Sequence, residues 1–142
     1  MGGAVITLEE LASGTTLAEA QGMTEELGRA AARLAGAELE AGRLETAREI
    51  LEGLAVTNPH DPAPWAMLAL VARRRGRLLA ARVCAETAYR LAPEDAQVRL
   101  VRAEVLLCDP EERGRARAEL AGLAGAEATV AARARALLTA LG

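Results

Sequence analysis

The chain holds 142 residues with a formal net charge of −3, and although 51% of it is hydrophobic, Trp65 and Tyr89 are its only aromatics. Strand folds draw on Val, Ile, Phe and Tyr, whereas Ala, Leu, Glu and Arg cost least in helices, so the composition points to one all-α domain. The small net charge and ordinary apolar fraction exclude a disordered chain and a general nucleic-acid binder.

From the N-terminus, Thr7-Leu8-Glu9-Glu10 and Thr16-Leu17-Ala18-Glu19 both fit the capping box, in which a hydroxyl and an acid three residues on satisfy each other's backbone N–H. Ser13-Gly14 and Gly22 read as breaks, so residues 1–23 form an N-terminal extension of two short helices. Thr24 reads as the N-cap of a longer helix that runs to about Ala41.

Beyond that point the chain repeats itself. At a shift of 34 residues Leu34 returns as Leu68, Gly42 as Gly76, Arg43 as Arg77, Ala47 as Ala81, Pro59 as Pro93 and Asp61 as Asp95. Each unit reads as two helices joined by a tight turn. In the second unit Trp65, Leu68, Ala69 and Ala72 share one face of a first helix, and Gly76 ends it in the left-handed conformation a C-cap favours. Ala81, Ala85 and Ala88 line the inner face of the second helix, and Pro93 closes the unit. The first unit repeats the scheme with Leu34, Ala35, Gly42, Ala47, Leu51, Leu54 and Pro59. The third keeps Ala103 and Leu106, turns at Cys108-Asp109-Pro110-Glu111, and after one inserted residue recovers the spacing at Ala116, Leu120 and Leu123. The repeats thus span about 28–61, 62–95 and 96–125 within a domain over 24–142. A last helix over about 127–141, with Val130, Ala134, Leu137, Leu138 and Leu141 on one stripe, should cover the end of the stack.

These residues resemble the tetratricopeptide repeat, a helix–turn–helix unit with a Trp, a Leu-Gly/Ala pair, a turn Gly, an Ala and a closing Pro. The second unit matches at Trp65, Leu68-Ala69, Gly76, Ala81, Ala88 and Pro93, and the first at Leu34-Ala35, Gly42, Ala47 and Pro59. The resemblance implies an α-α superhelix whose first helices line a concave side. The stretches Gly14-Thr15-Thr16, Met23 to Leu27, Glu40 to Ala47, Asn58-Pro59-His60-Asp61 and Ala103 to Leu107 also resemble a narrower group, the class II chaperones of bacterial type III secretion. That group holds translocator proteins before export. It usually carries aromatics in the first helices, where this chain has mostly Ala, Arg or Leu.

If Trp65, Leu68, Ala69 and Ala72 face the core, then Ala63, Ala66, Leu70 and Arg73 lie on the neighbouring face. Their equivalents are Arg29, Ala32, Gly36 and Leu39 in the first unit, and Gln97, Leu100, Glu104 and Leu107 in the third. Together they make a peptide-binding groove with a floor of Leu39, Leu70, Leu100 and Leu107, edged by Arg29, Arg73 and Glu104. The competing reading is that Leu70 or Leu107 packs against the adjacent repeat. The chain has no Lys, and Ala32 and Gly36 stand where heat-shock co-chaperones of this repeat family place clamp residues, so a carboxylate clamp of that kind is excluded.

Arg73-Arg74-Arg75-Gly76-Arg77 reads either as a solvated helix C-terminus, where cations offset the dipole, or as a dock for an acidic partner. His60 lacks companions at metal spacing, and Cys84 and Cys108 stand apart as reduced thiols, so no metal or cofactor is expected. No phosphate loop, HExxH or nucleophile elbow occurs, and the chain reads as no enzyme. No apolar run approaches the roughly 18 residues of a membrane span, and no signal sequence is expected. The sequence therefore predicts a cytoplasmic chaperone for a secreted protein or extended peptide client, without nucleic acid. The class II resemblance adds self-association through the N-terminal helices, roughly Ile6 to Gln21. A general adaptor of another bacterial assembly, or an accessory domain of an enzyme complex, stands beside it as an alternative.

Overall fold

Among the described residues seven α-helices and one 3-10 turn follow one another in chain order, with no strand. The computed structural model describes residues 17–142, with side chains from Thr24 onward. Helix α1 (Leu17–Glu40) pairs with α2 (Leu44–Thr57), α3 (Pro62–Arg74) with α4 (Leu78–Leu91), and α5 (Ala96–Leu106) with α6 (Arg113–Ala121). The 3-10 turn is Pro110–Glu112, and α7 (Ala128–Leu141) closes the stack.

The repeat is legible in the turns. Gly42 and Gly76 adopt φ of 80° and 74°, and each is followed by an Arg whose N–H reaches the carbonyl five residues back, Arg43 to Glu38 and Arg77 to Ala72, both at 2.9 Å. These are Schellman ends, which satisfy carbonyls left over when a helix stops. Asp61 and Asp95 then cap α3 and α5, accepting from Ala63 N at 3.0 Å and from Gln97 N at 2.9 Å. The third turn needs no such glycine, because Asp109 accepts from the Glu111 N–H at 3.0 Å and Pro110 starts the 3-10 turn.

Two expectations are corrected. Helix α1 runs unbroken through Gly22 and Thr24, so Gly22 is no break and Thr24 no N-cap. One glycine costs only about 1 kcal/mol inside a helix, and the flanking Leu, Ala, Glu and Met residues favour the helix on both sides. The capping-box residues Thr7 and Thr16 and the break at Ser13-Gly14 lie outside the described residues. Leu34 was expected on the inner face, but it is 53% exposed while Ala35 beside it is fully buried. Its equivalent Leu68 packs against the second helix of the preceding repeat, beside Ala47, Leu51 and Ala55, whereas no cluster among the described residues takes in Leu34.

The core consists of three linked clusters, each joining one helix pair to the first helix of the next unit. Ala35, Leu39, Ala47, Leu51 and Val71 form the first, and Leu100, Ala103, Leu120, Leu123 and Val130 the third. The middle cluster rests on Ala66, Ala69, Ala72, Ala81, Ala85 and Ala88 with three valines from α5. Each alanine methyl contributes only about 0.8 kcal/mol by transfer, but six of them let α3 and α4 pack closely along their length. The half-buried Trp65 and Leu70 touch both the first and the middle cluster and so lock repeat one to repeat two.

Candidate functional site: the face of the first helices

Helix α3 touches both α1 and α5, and α5 in turn touches α7, so the first helices of the three units and the closing helix stand side by side. This is the surface on which the sequence places its groove. Arg29, Ala63 and Gln97 are exposed there, and Ala32 and Gly36 are half-buried. A Cβ at Gly36 would stand 3.6 Å from the Met67 Cε, so the absence of a side chain makes room for that thioether.

The four leucines divide into two pairs. Leu39 is 6% exposed and Leu100 5%, both consumed by the core, as is Ala66. Leu70 and Leu107 remain half-exposed at the surface of their clusters. The structure therefore brings Leu70, Leu107, Ala32 and Gly36 to the accessible face and withdraws Leu39, Ala66 and Leu100 into the packing between repeats. Helical spacing could not separate the two, because i, i+3 and i+4 positions border the core on both sides.

The polar edge is a chain of three side chains across three helices. Glu104 on α5 is 7% exposed and accepts from Arg133 Nη2 of α7 at 2.8 Å, while Arg73 Nη2 of α3 lies 3.7 Å away. The buried Arg73 Nε has no hydrogen-bond partner. One carboxylate is thus held between two guanidinium groups, leaving a net positive charge on this stretch of the face. Arg74 turns instead to the Leu39 carbonyl, donating from Nη1 at 2.6 Å, and ties α3 to the end of α1. Of the arginine run, only Arg73 reaches the candidate site.

Sequence reasoning missed Met67 and Arg133. Met67 sits four residues beyond Ala63 on the same face, a signal that spacing carried. Arg133 belongs to the closing helix, and only the tertiary arrangement shows that it reaches Glu104. Among the described residues no group of three potential metal ligands occurs, and no helix is long and apolar enough to cross a membrane. Chemically, the face offers aliphatic and thioether contacts beside paired guanidinium groups, which suits an extended polypeptide with apolar anchors and a carboxylate.

Residues 28–71 match the family model of the tetratricopeptide repeat. No curated protein matches the sequence. Among solved structures the chain is similar to the Yersinia enterocolitica type III secretion translocator chaperone SycD, with a TM-score of 0.72 at 19% identity over 89% of this chain and 98% of that one. A second SycD structure, of an alternative dimer, gives a TM-score of 0.69 at 19% identity over 81% of this chain and 91% of that one. The chain carries a tetratricopeptide-repeat match in its first and second units, and its fold is the tetratricopeptide-type helical stack of SycD.

Proposed function

We propose that this chain is a cytoplasmic, non-enzymatic chaperone of type III secretion that holds a translocator-like protein along the face of its first helices before export. The observation that carries the reading is the length of the likeness: nearly all of SycD, a translocator chaperone, is spanned by this fold. The exposed face supports it, with Leu70 and Leu107 as apolar contacts and the Arg73–Glu104–Arg133 chain as the polar contact. Binding there shields apolar client segments from aggregation and needs no nucleotide, so release follows from competition at the export apparatus. Self-association through residues 6–21 belongs to the same reading.

Co-expression with translocator candidates, followed by size-exclusion chromatography, tests it. A soluble complex forms with the unmodified chain, and Leu70→Asp with Leu107→Asp weakens it at least about tenfold, since each change puts a charge against an apolar anchor. Helical content checked by circular dichroism separates lost binding from lost folding. Failure to form a complex with any translocator, or a complex indifferent to both changes in a folded chain, overturns the proposal.

A further inference from the structure

On the opposite side of α3 the helices α2 and α4 part to leave an open groove of about 660 Å³. Leu68 stands on its floor, about 200° around the helix from Leu70, so the groove is separate from the client face. Ala55, Trp65 and Cys84 also line it, and Val56 at its edge is 83% exposed.

The same place in the next repeat is closed. Shifting by one unit turns Ala55 into Tyr89 and Leu68 into Arg102, and Arg102 lies over the Tyr89 ring at 4.0 Å between Glu86 and Glu119. The chain thus fills this site with its own side chains at one junction and leaves it unfilled, with Ala55, Leu68 and Cys84 in their places, at the other.

Charge points to the occupant. At the turn end of the groove stand Arg48, Arg75 and Arg77. Glu45 and Glu52 engage Arg48, and Glu45 also meets Arg75 at 3.1 Å. Among the described residues no carboxylate comes within ion-pair distance of the exposed Arg77, and Glu45, already held by Arg48 and Arg75, acts on it only from farther off. We infer that this groove docks an acidic amphipathic segment of a partner protein, its aliphatic side chains over Leu68 and Trp65 and its carboxylates toward Arg75 and Arg77.

Trp65 is the only tryptophan of the chain, so its emission reports occupancy. The probe is a short amphipathic peptide of Leu, Ile and Glu, set against the same peptide with Lys in place of Glu. The acidic peptide shifts Trp65 emission and binds at least about tenfold more tightly than the basic one. Arg77→Glu, at an exposed position, and Ala55→Tyr, which copies the closed junction, each weaken it about tenfold. Equal binding of both peptides overturns the proposal, as does binding indifferent to Arg77→Glu. A Trp65 shift that follows protein concentration without peptide overturns it too, because a second copy then fills the groove.

Discussion

The two repeat junctions solve one packing problem with opposite chemistry. Where α4, α5 and α6 meet, the buried Arg102 donates from Nε to Glu86 at 2.9 Å and from Nη1 to Glu119 at 3.2 Å, with Tyr89 beneath it. Arg82 adds distances of 3.7 Å to Glu86 and 3.8 Å to Glu112, so the network ties three helices. Where α2, α3 and α4 meet, the equivalent residues are Leu68, Ala55 and Cys84, and the space stays open. One junction is built for cohesion; its neighbour keeps the backbone geometry and gives up the filling. A repeat fold permits this because each unit rests mainly on its nearest neighbours.

Removing the guanidinium breaks that contrast most severely. Arg102→Ala strips Glu86 and Glu119 of their nearest cation, leaving only Arg82 at 3.7 Å and Arg99 at 4.0 Å, and with both carboxylates partly solvated the cost sits at the low end for a broken buried pair, about 3 kcal/mol. Urea denaturation should show that loss, while Leu68→Ala at the open junction should cost less, because solvent already reaches the space beside it. Equal losses at the two sites would mean that the junctions do not differ in cohesion. Arg102→Leu makes the comparison sharper, since it restores an apolar side chain without satisfying the carboxylates.

The turns should respond alike where the junctions do not. Gly42 and Gly76 both hold left-handed φ, and a Cβ at either would meet nothing within 4 Å. Gly76→Ala therefore costs only the backbone strain of that conformation, about 1–2 kcal/mol, and Gly42→Ala the same. Thermal unfolding of the two variants should give closely matched shifts. A much larger effect at Gly76 would show that the second turn supports the groove as well as the repeat.

This split explains what the sequence made legible. Gly42, Gly76, Pro59, Pro93, Asp61 and Asp95 are punctuation whose physics is local, so the repeat boundaries and the α-α stack could be read from spacing alone. The stripe Ala81, Ala85 and Ala88 was legible for the same reason, since all three are buried as their period requires. The candidate face of the first helices was only half legible. Leu39 and Leu107 occupy one repeat position, yet Leu39 is core and Leu107 is half-exposed, because the side chains around them differ from unit to unit. The Arg73–Glu104–Arg133 chain and the Arg102 network join residues far apart in sequence, which no local period encodes. Leu34 shows the limit most plainly, since among the described residues nothing packs over it as the second helix of the first repeat packs over Leu68.

The smallest effect separates the junctions through a thiol. Cys84 is half-buried in the open groove, and burial, with the nearby Glu52 carboxylate adding to it, pushes its pKa above the ordinary thiol range. At the closed junction the same position holds Glu119, which accepts from Arg102 Nη1 at 3.2 Å. With Cys108→Ser leaving Cys84 as the sole thiol, alkylation near about pH 8 should run several-fold slower than for a free cysteine and rise only at higher pH. The sign for stability follows: an unfolded chain releases this proton first, so any stabilisation is complete below the unfolded thiol pKa and is lost as pH rises through the folded one. Ala55→Tyr should slow alkylation further by narrowing the groove, with the circular dichroism unchanged. Cys84 reacting at the rate of a free thiol, before and after that substitution, would mean that the space beside it is open solvent, and the contrast between the junctions would reduce to Arg102 alone.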